Sequence, residues 1–239
     1  MKKLTLKGVR IVSTIMMALL VVAVGAVCLL PERTVYISGG KTYAPIYSGN
    51  TEKAQVALMF NVYENTDIVN AIVDKLADNG VIATFFVGGC WADDNTETLK
   101  RIIAGGNELA NHGYFHLDHK KLSEERNREE ISCCHEVVKA LTGYEMELFA
   151  PPSGAYGDVT LKCAASLGYK TIMWTVDTID WRDGDVDVIV SRATKNVTSG
   201  ALVLMHPKQH TLTALDEILA FYKEKGIACV TVSQCIAND

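Results

Sequence analysis

The chain after Ala54 alternates short apolar runs with longer amphipathic segments. The short runs are rich in β-branched and aromatic residues and have the length of buried strands, whereas the longer segments show helical periodicity and several end at a glycine. The pattern predicts strands over 56–60, 83–87, 170–176, 201–205 and 228–232. It predicts helices over 68–79, 97–104, 158–167, 187–196 and 213–225, and a further helix that begins after the N-cap Ser123.

This alternation predicts an α/β fold in which helices wrap a parallel sheet. About seven strand–helix units in one domain favour a closed or distorted barrel over an open sheet. In both architectures chemistry collects at the carboxyl ends of the strands, so the residues that follow each strand are the candidates for a site.

A different pattern precedes the domain. Residues 11–30 contain no charge, and twenty helical residues at about 1.5 Å each are long enough to span the hydrocarbon layer of a membrane. Four cations precede this stretch, so the positive-inside rule places the domain outside the cytoplasm. The sequence therefore predicts a single-pass protein of the cell membrane, and secretion after signal cleavage is the alternative. Its predicted parts are a cytoplasmic basic tail (1–10), a transmembrane anchor or uncleaved signal (11–30), a linker (31–53) and an extracytoplasmic domain (54–239).

The net charge of −5 is unevenly distributed along the chain. Six basic residues and one acidic residue lie in the first fifty positions, so the other 17 basic and 27 acidic residues give the remainder a charge of −10. Affinity for nucleic acid comes mainly from neutralisation of phosphates by basic side chains. The acidic domain is therefore not expected to bind nucleic acid.

Side chains that can bind metal or transfer protons follow several predicted strands. His112 and His116 are four residues apart, and two imidazoles at this spacing can bind one metal ion. Paired surface histidines without a metal share this spacing. Asp177 and Asp180 follow one strand and His206 follows the next, but aspartates in this position also cap helices, and a histidine there also bonds a neighbouring carbonyl.

The order of these motifs resembles that of a known family, the polysaccharide deacetylases with a NodB-homology domain (carbohydrate esterase family 4). The resemblance covers 56–232 and implies a distorted seven-stranded (β/α) barrel that removes N-acetyl groups from chitin-like or peptidoglycan glycans. The matching motifs are His112-Gly113-Tyr114-Phe115-His116 for His-x-x-x-His, Pro151-Pro152-Ser153-Gly154 for Arg-Pro-Pro-Tyr-Gly, Asp177 to Trp181 for Asp-x-x-Asp-Trp, and Leu204-Met205-His206 for Leu-x-His.

Three positions depart from the family pattern. The family carries Phe-Asp-Asp after its first strand, with a general-base Asp and a metal-binding Asp, and here these two positions are Asn61 and Val62. The Arg that pairs with the base in the family is Ala150 here. The losses are mutually consistent, because an Arg without its carboxylate partner would be an uncompensated buried charge. The pattern most resembles the sporulation-associated branch of clostridia and bacilli.

The resemblance implies roles for the residues that match. A divalent metal ion, expected to be Zn²⁺, would be held by His112 and His116 with water or a nearby carboxylate. His206 would protonate the departing amine and be oriented by Asp180, while Asn61 occupies the position of the base.

Further roles concern the base and the substrate. Without the family's base, either the activity is slow or Glu64 or Asp67 supplies the base. The backbone N–H near Ser153 would polarise the acetyl carbonyl together with the metal. The predicted substrate-binding residues are Pro151, Pro152, Ser153, Gly154, Tyr156, Trp181 and Asp177.

Two functions stay open at this level. The first is a metal-dependent hydrolase of cell-wall or chitin-like glycan. The second is a catalytically impaired domain that binds glycan or scaffolds envelope assembly. Either would be a monomer with a glycan polymer as its partner and the membrane as its attachment. The seven cysteines show no zinc spacing, and a Cys229–Cys235 disulfide is one pairing that an extracytoplasmic location permits.

Overall fold

The computed structural model describes residues 43–237, which form helices on a parallel sheet. The strands are β1 (Gln55–Val62), β2 (Thr84–Val87), β3 (Glu108–Asn111), β4 (Leu148–Phe149), β5 (Lys170–Thr171), β6 (Val176–Asp177), β7 (Ala201–Met205) and β8 (Ala228–Val230). The helices are α1 (Thr66–Asp78), α2 (Gly89–Asp93), α3 (Thr96–Ala104), α4 (Glu124–Thr142), α5 (Asp158–Ser166), α6 (Val186–Thr194), α7 (Gln209–Glu224) and α8 (Val232–Ile236), with 3₁₀ turns at His119–Lys121 and Pro152–Gly154.

The predicted membrane segment lies outside the described residues. Within 43–237, no helix has both the length and the apolar character needed to cross a membrane.

The strands form one sheet in the order β5-β4-β3-β2-β1-β7-β6, and every ladder between them is parallel. The remaining strand, β8, pairs with the first residues of β1. The sheet curls into a half-barrel that packs against helices, which confirms the predicted parallel α/β architecture.

Side chains of β1 alternate between two apolar layers because successive residues of a strand point to opposite faces. Leu58 and Phe60 pack in the larger layer, between the sheet and the helices. Ala57 and Met59 face the inside of the half-barrel, where α8 contributes Val232 to the smaller layer. All eight residues of β1 are buried, which is typical of a parallel strand covered on both faces.

The described part of the predicted linker is hydrogen-bonded to the sheet. Ile46 forms a parallel bridge with Ile172, and Ser48 forms an antiparallel bridge with Ala201. The compact unit of the described chain therefore includes the residues from Tyr43 onward, rather than beginning at position 54.

The predicted strand 170–176 is wrong in its extent, because the chain changes partner in the middle of that run. Lys170 and Thr171 pair with β4, whereas Val176 and Asp177 pair with β7. Trp174 lies between the two short strands.

Other boundaries differ by a few residues. The predicted strand 228–232 ends at Val230, because Thr231 and Gln234 form a capping box that starts α8. The helix predicted from 213 begins one turn earlier, at Gln209. The Ser123 N-cap is confirmed, since its hydroxyl accepts a hydrogen bond from Arg126 N.

The cysteines of the described part are free thiols. Cys229 and Cys235 are among them, so the suggested pairing is wrong. Burial raises the pKa of both thiols, to about 12 and about 11 respectively.

Candidate active site

A cavity of about 280 Å³ lies at the carboxyl ends of β1, β3, β4, β6 and β7. It brings together seven of the sequence-predicted site residues, which come from five separate segments of the chain. Its lining consists of Asn61, Tyr63, His112, His116, Ser153, Trp174, Asp177, Trp181, Leu204 and His206.

His112 is a fully buried histidine directly after β3. Its Nδ1 lies 2.8 Å from the carbonyl oxygen of Ala150, so Nδ1 carries the proton and donates it. Its Nε2 is buried and has no hydrogen-bond partner among the described residues. Burial, reinforced by the neighbouring His116, holds the pKa of His112 well below its usual value, and the imidazole is therefore neutral.

The loop that follows His112 is held by side chains from outside the cavity. Asn111 Oδ1 accepts from Gly113 N at 2.8 Å. A single oxygen of the buried Glu130 accepts from Tyr114 N at 2.9 Å and from Phe115 N at 2.8 Å. These three consecutive N–H groups are therefore fixed by two side chains.

His116 ends this loop in a left-handed conformation, with φ of 57°. Its ring centroid lies 5.1 Å from that of His112, so the loop brings the two imidazoles together as the spacing predicted. Tyr63 packs on the other side of His116, with the ring centroids 4.2 Å apart. Burial also lowers the pKa of His116.

The donor set does not complete a metal site. The free Nε2 of His112 is suited to a metal, but a catalytic zinc site takes three protein ligands. Within residues 43–237, no three His, Cys, Asp or Glu side chains are placed to hold a metal ion together. Val62, at the position of the family's metal-binding Asp, is fully buried and has no ligating atom in its side chain. The described residues therefore offer two histidines and no third ligand, and binding of Zn²⁺ stays a prediction.

The position of the general base also lacks a carboxylate. Asn61 is 3% exposed, and its Oδ1 has no hydrogen-bond partner among the described residues. Glu64 forms an ion pair with Lys208, and Asp67 lies in the first turn of α1. Neither side chain lines the cavity.

His206 and Asp180 form the buried pair that the sequence predicted. Asp180 Oδ1 lies 2.8 Å from His206 Nδ1, and Oδ2 accepts from His206 N and from Thr211 Oγ1, each at 2.7 Å. Both Asp180 oxygens are therefore used, and the His206 ring is oriented with Nε2 left for the cavity it lines. The role of this pair in protonating a departing amine stays a prediction.

The predicted substrate-binding residues are divided between the cavity and its surroundings. Ser153, Asp177 and Trp181 line the cavity, and Trp181 is 52% exposed. Asp177 Oδ1 accepts from Ile179 N at 2.8 Å, which makes it a turn-forming residue as well. Pro151, Pro152, Gly154 and Tyr156 lie outside the lining; the first three form the turn that carries Ser153, and Tyr156 follows that turn.

Sequence reasoning missed three contributors to the site. Tyr63 and Trp174 line the cavity, and Glu130 holds the histidine loop from α4. Tyr63 follows the first strand by one position, which is the signal that could have identified it. A Glu in an amphipathic helix has no such signal, because it resembles a solvent-facing residue.

The curled parallel sheet and the histidine cavity at the carboxyl ends of its strands give the chain the architecture of a carbohydrate deacetylase domain. A family model described as polysaccharide deacetylase matches residues 48–172. The chain belongs to the polysaccharide deacetylase family.

Relatives with known sequences include two Bacillus proteins. The chain is 36% identical over 190 residues to YlxY, an uncharacterized protein of Bacillus subtilis, with 80% of this chain and 60% of YlxY covered. It therefore spans less than two thirds of that relative. It is 33% identical over 195 residues to a peptidoglycan-N-acetylglucosamine deacetylase of Bacillus cereus, with 80% of this chain and 71% of that protein covered.

Among solved structures, the chain is similar to a CE4 family pseudoenzyme from Bacillus anthracis. The identity is 36% and the TM-score is 0.79, over 82% of this chain and 70% of that one. A mutant of that pseudoenzyme with restored enzymatic activity is 34% identical, with the same TM-score, over 82% of this chain and 72% of the mutant.

Proposed function

We propose that this domain binds N-acetylated cell-wall glycan in its cavity without hydrolysing it, at the outer side of the cell membrane. The observation that carries the proposal is the joint loss of the base and of the third metal ligand at Asn61 and Val62. Both losses fall on adjacent residues of one strand, at a cavity that keeps His112, His116 and His206.

The chemistry of deacetylation needs groups that the cavity does not offer. A neutral amide at Asn61 cannot accept a proton as a carboxylate does, and loss of a positioned base typically costs about 10²- to 10⁴-fold in rate. Two histidines without a third protein ligand hold a metal weakly, and no described carboxylate replaces Val62. The missing base and the missing metal ligand affect the same step, so their effects on the rate multiply.

The features that support glycan binding do not depend on those groups. The cavity combines aromatic rings with a few polar groups, which is the usual composition of a sugar-binding site. Relatives named as peptidoglycan deacetylases support a peptidoglycan-type ligand, and the Bacillus anthracis pseudoenzyme supports loss of turnover in such a domain.

The test measures three properties of the purified full-length protein. We expect less than stoichiometric metal, no acetate release from N-acetylglucosamine oligomers or peptidoglycan, and saturable binding of the same glycans by calorimetry. Acetate release over many turnovers that disappears in His206→Ala would overturn the proposal, and so would the absence of glycan binding.

A restored variant supplies the positive control for the assay. Asn61→Asp with Val62→Asp and Ala150→Arg returns the base, the metal ligand and the partner of the base. We expect this variant to bind about one metal ion per chain and to release acetate. His112→Ala in the restored background should abolish both, which shows that the regained activity uses the retained histidine pair.

Slow deacetylation is the second candidate, favoured by the intact His206–Asp180 pair. If slow deacetylation occurs, His206→Asn should abolish the acetate release, because the variant lacks the imidazole that would protonate the departing amine. The acetate assay on the unmodified protein decides between the two candidates directly.

A further inference from the structure

We propose that Tyr47 and Tyr156 form an outer sugar-binding subsite beside the cavity, so that the domain binds a glycan chain of several units rather than a single sugar. This inference rests on the proposed function and extends it to the length of the ligand. It also assigns a binding role to the segment that enters the domain.

The two tyrosines come from distant parts of the chain and meet at their hydroxyl groups. Tyr47 Oη and Tyr156 Oη are 2.6 Å apart, and Tyr47 is 44% exposed. Tyr47 lies between Ile46 and Ser48, and both of these neighbours form bridges with the sheet. The exposed ring therefore stands on a backbone that is fixed on either side.

The pair adjoins the wall of the cavity. Ile46 accepts from Met173 N at 2.8 Å, and Met173 precedes Trp174, which lines the cavity. On the other side, Gly154 lies against the Trp174 ring, because a Cβ at Gly154 would stand 2.7 Å from its Cη2 atom. Trp174 is thus flanked by the backbone that carries Tyr47 and by the turn that leads to Tyr156.

The chemistry of the pair suits a carbohydrate. Aromatic rings offer an apolar face to the C–H face of a sugar, and a phenol offers a polar edge to its hydroxyl groups. When one tyrosine hydroxyl donates to the other, the accepting hydroxyl keeps its own proton for a ligand. Because the mutual bond and the bridges place both rings in advance, little side-chain entropy is lost on binding.

Calorimetric titration with N-acetylglucosamine oligomers of two to six units tests the subsite in the full-length protein. We expect affinity to increase with chain length in the unmodified protein. Tyr47→Ala and Tyr156→Ala should each weaken binding of the hexamer by about tenfold and leave binding of the dimer unchanged, since the proposed subsite lies outside the cavity.

Two control variants test whether the effect is specific to the Tyr47 ring. Tyr47→Phe retains the ring and should stay within about threefold of the unmodified protein, since only a shared hydroxyl bond is lost. Tyr43→Ala removes another exposed tyrosine of the same segment, 40% exposed, and should leave hexamer binding unchanged.

The outcomes separate the subsite from the proposed function. Equal affinity for dimer and hexamer, or a hexamer affinity unaffected by Tyr47→Ala in a variant with unchanged thermal unfolding, overturns the subsite and leaves glycan binding in place. Failure of the unmodified protein to bind any oligomer overturns both.

Discussion

His119 is a buried imidazole that hydrogen-bonds through only one of its two nitrogens. Its Nδ1 lies 2.8 Å from Asn127 Oδ1, and its Nε2 is buried without a partner in the described part of the chain. Burial lowers its pKa, because a second proton on Nε2 would have no acceptor. Protonation of His119 in acid therefore destabilises the folded state.

The pH dependence of stability follows from that lowered pKa. An unfolded chain has a histidine pKa of about 6.5, so below that pH the unfolded state binds more protons than the folded state. The stabilising contribution of the neutral His119 is therefore fully present above about pH 6.5, and it decreases as the pH drops below that value. We expect His119→Gln, whose amide can still donate to Asn127, to reduce the stability lost between pH 7 and pH 5 by about 1 kcal/mol.

Urea unfolding of both proteins at the two pH values measures this difference. His112 and His116 also have lowered pKa values, so a residual pH dependence is expected in the variant. An equal loss of stability in His119→Gln and in the unmodified protein would contradict the assignment.

At the scale of elements, α4 is the support of the histidine loop. Its buried face makes bonds to the loop and to the strands before it. Asn127 Nδ2 donates to the carbonyl of His119, Ile131 O accepts from Asn111 Nδ2, and Glu130 holds two N–H groups of the loop. The geometry of the histidine pair is therefore set by a helix that contributes no side chain to the cavity lining.

Removal of the Glu130 carboxylate should loosen this loop. Glu130→Ala leaves Tyr114 N and Phe115 N without their acceptor and breaks the bond to Arg126, so we expect a loss of about 2 to 3 kcal/mol in unfolding free energy. Glu130→Gln keeps one acceptor oxygen and should cost less. Urea unfolding gives the energies, and amide hydrogen exchange at positions 114 and 115 should accelerate.

Glu129→Ala is the matched control. Glu129 also pairs with Arg126, but it is half exposed and accepts no backbone bond from the loop. Its loss should cost less than about 0.5 kcal/mol. Equal costs at positions 129 and 130 would show that the charge pair, rather than the loop, accounts for the effect.

Elements with strong periodicity could be predicted from the sequence, whereas those defined by a partner could not. Buried runs such as β1 and amphipathic helices such as α3 repeat their pattern over enough residues to be recognised. The division of 170–177 depends on which strand lies alongside, and a continuous apolar run does not carry that information. Tyr63 and Trp174 were missed for a related reason, because an aromatic residue beside a strand resembles core.

At the scale of the whole molecule, the first and last parts of the described chain meet at one place. Gly49 N donates to Gly200 O, and Asn50 N donates to Cys235 O, each at 2.7 Å. Gly200 has φ of 79°, and a Cβ there would stand 2.7 Å from Gly49 O. This contact keeps the Tyr47 segment against the sheet and beside α8.

Gly200→Ala should therefore cost more than a left-handed alanine alone. Gly168 has φ of 84° and no atom within 4 Å of its added Cβ, so Gly168→Ala measures only the backbone strain, about 1 to 2 kcal/mol. We expect Gly200→Ala to cost about 3 kcal/mol or more, because the backbone of residue 49 must move. Urea unfolding compares the two variants. Equal losses of unfolding free energy would mean that the backbone of residue 49 moves aside without a measurable cost.

The bonds that shape the histidine loop come from Asn111, Glu130 and the carbonyl of Ala150, and none of these groups performs deacetylation chemistry. Substitutions at positions 61 and 62 therefore leave these bonds in place. A chain that lacks the reaction can in this way keep the geometry of the histidine loop. For the same reason, recovery of the reaction requires new side chains but no rebuilding of the loop.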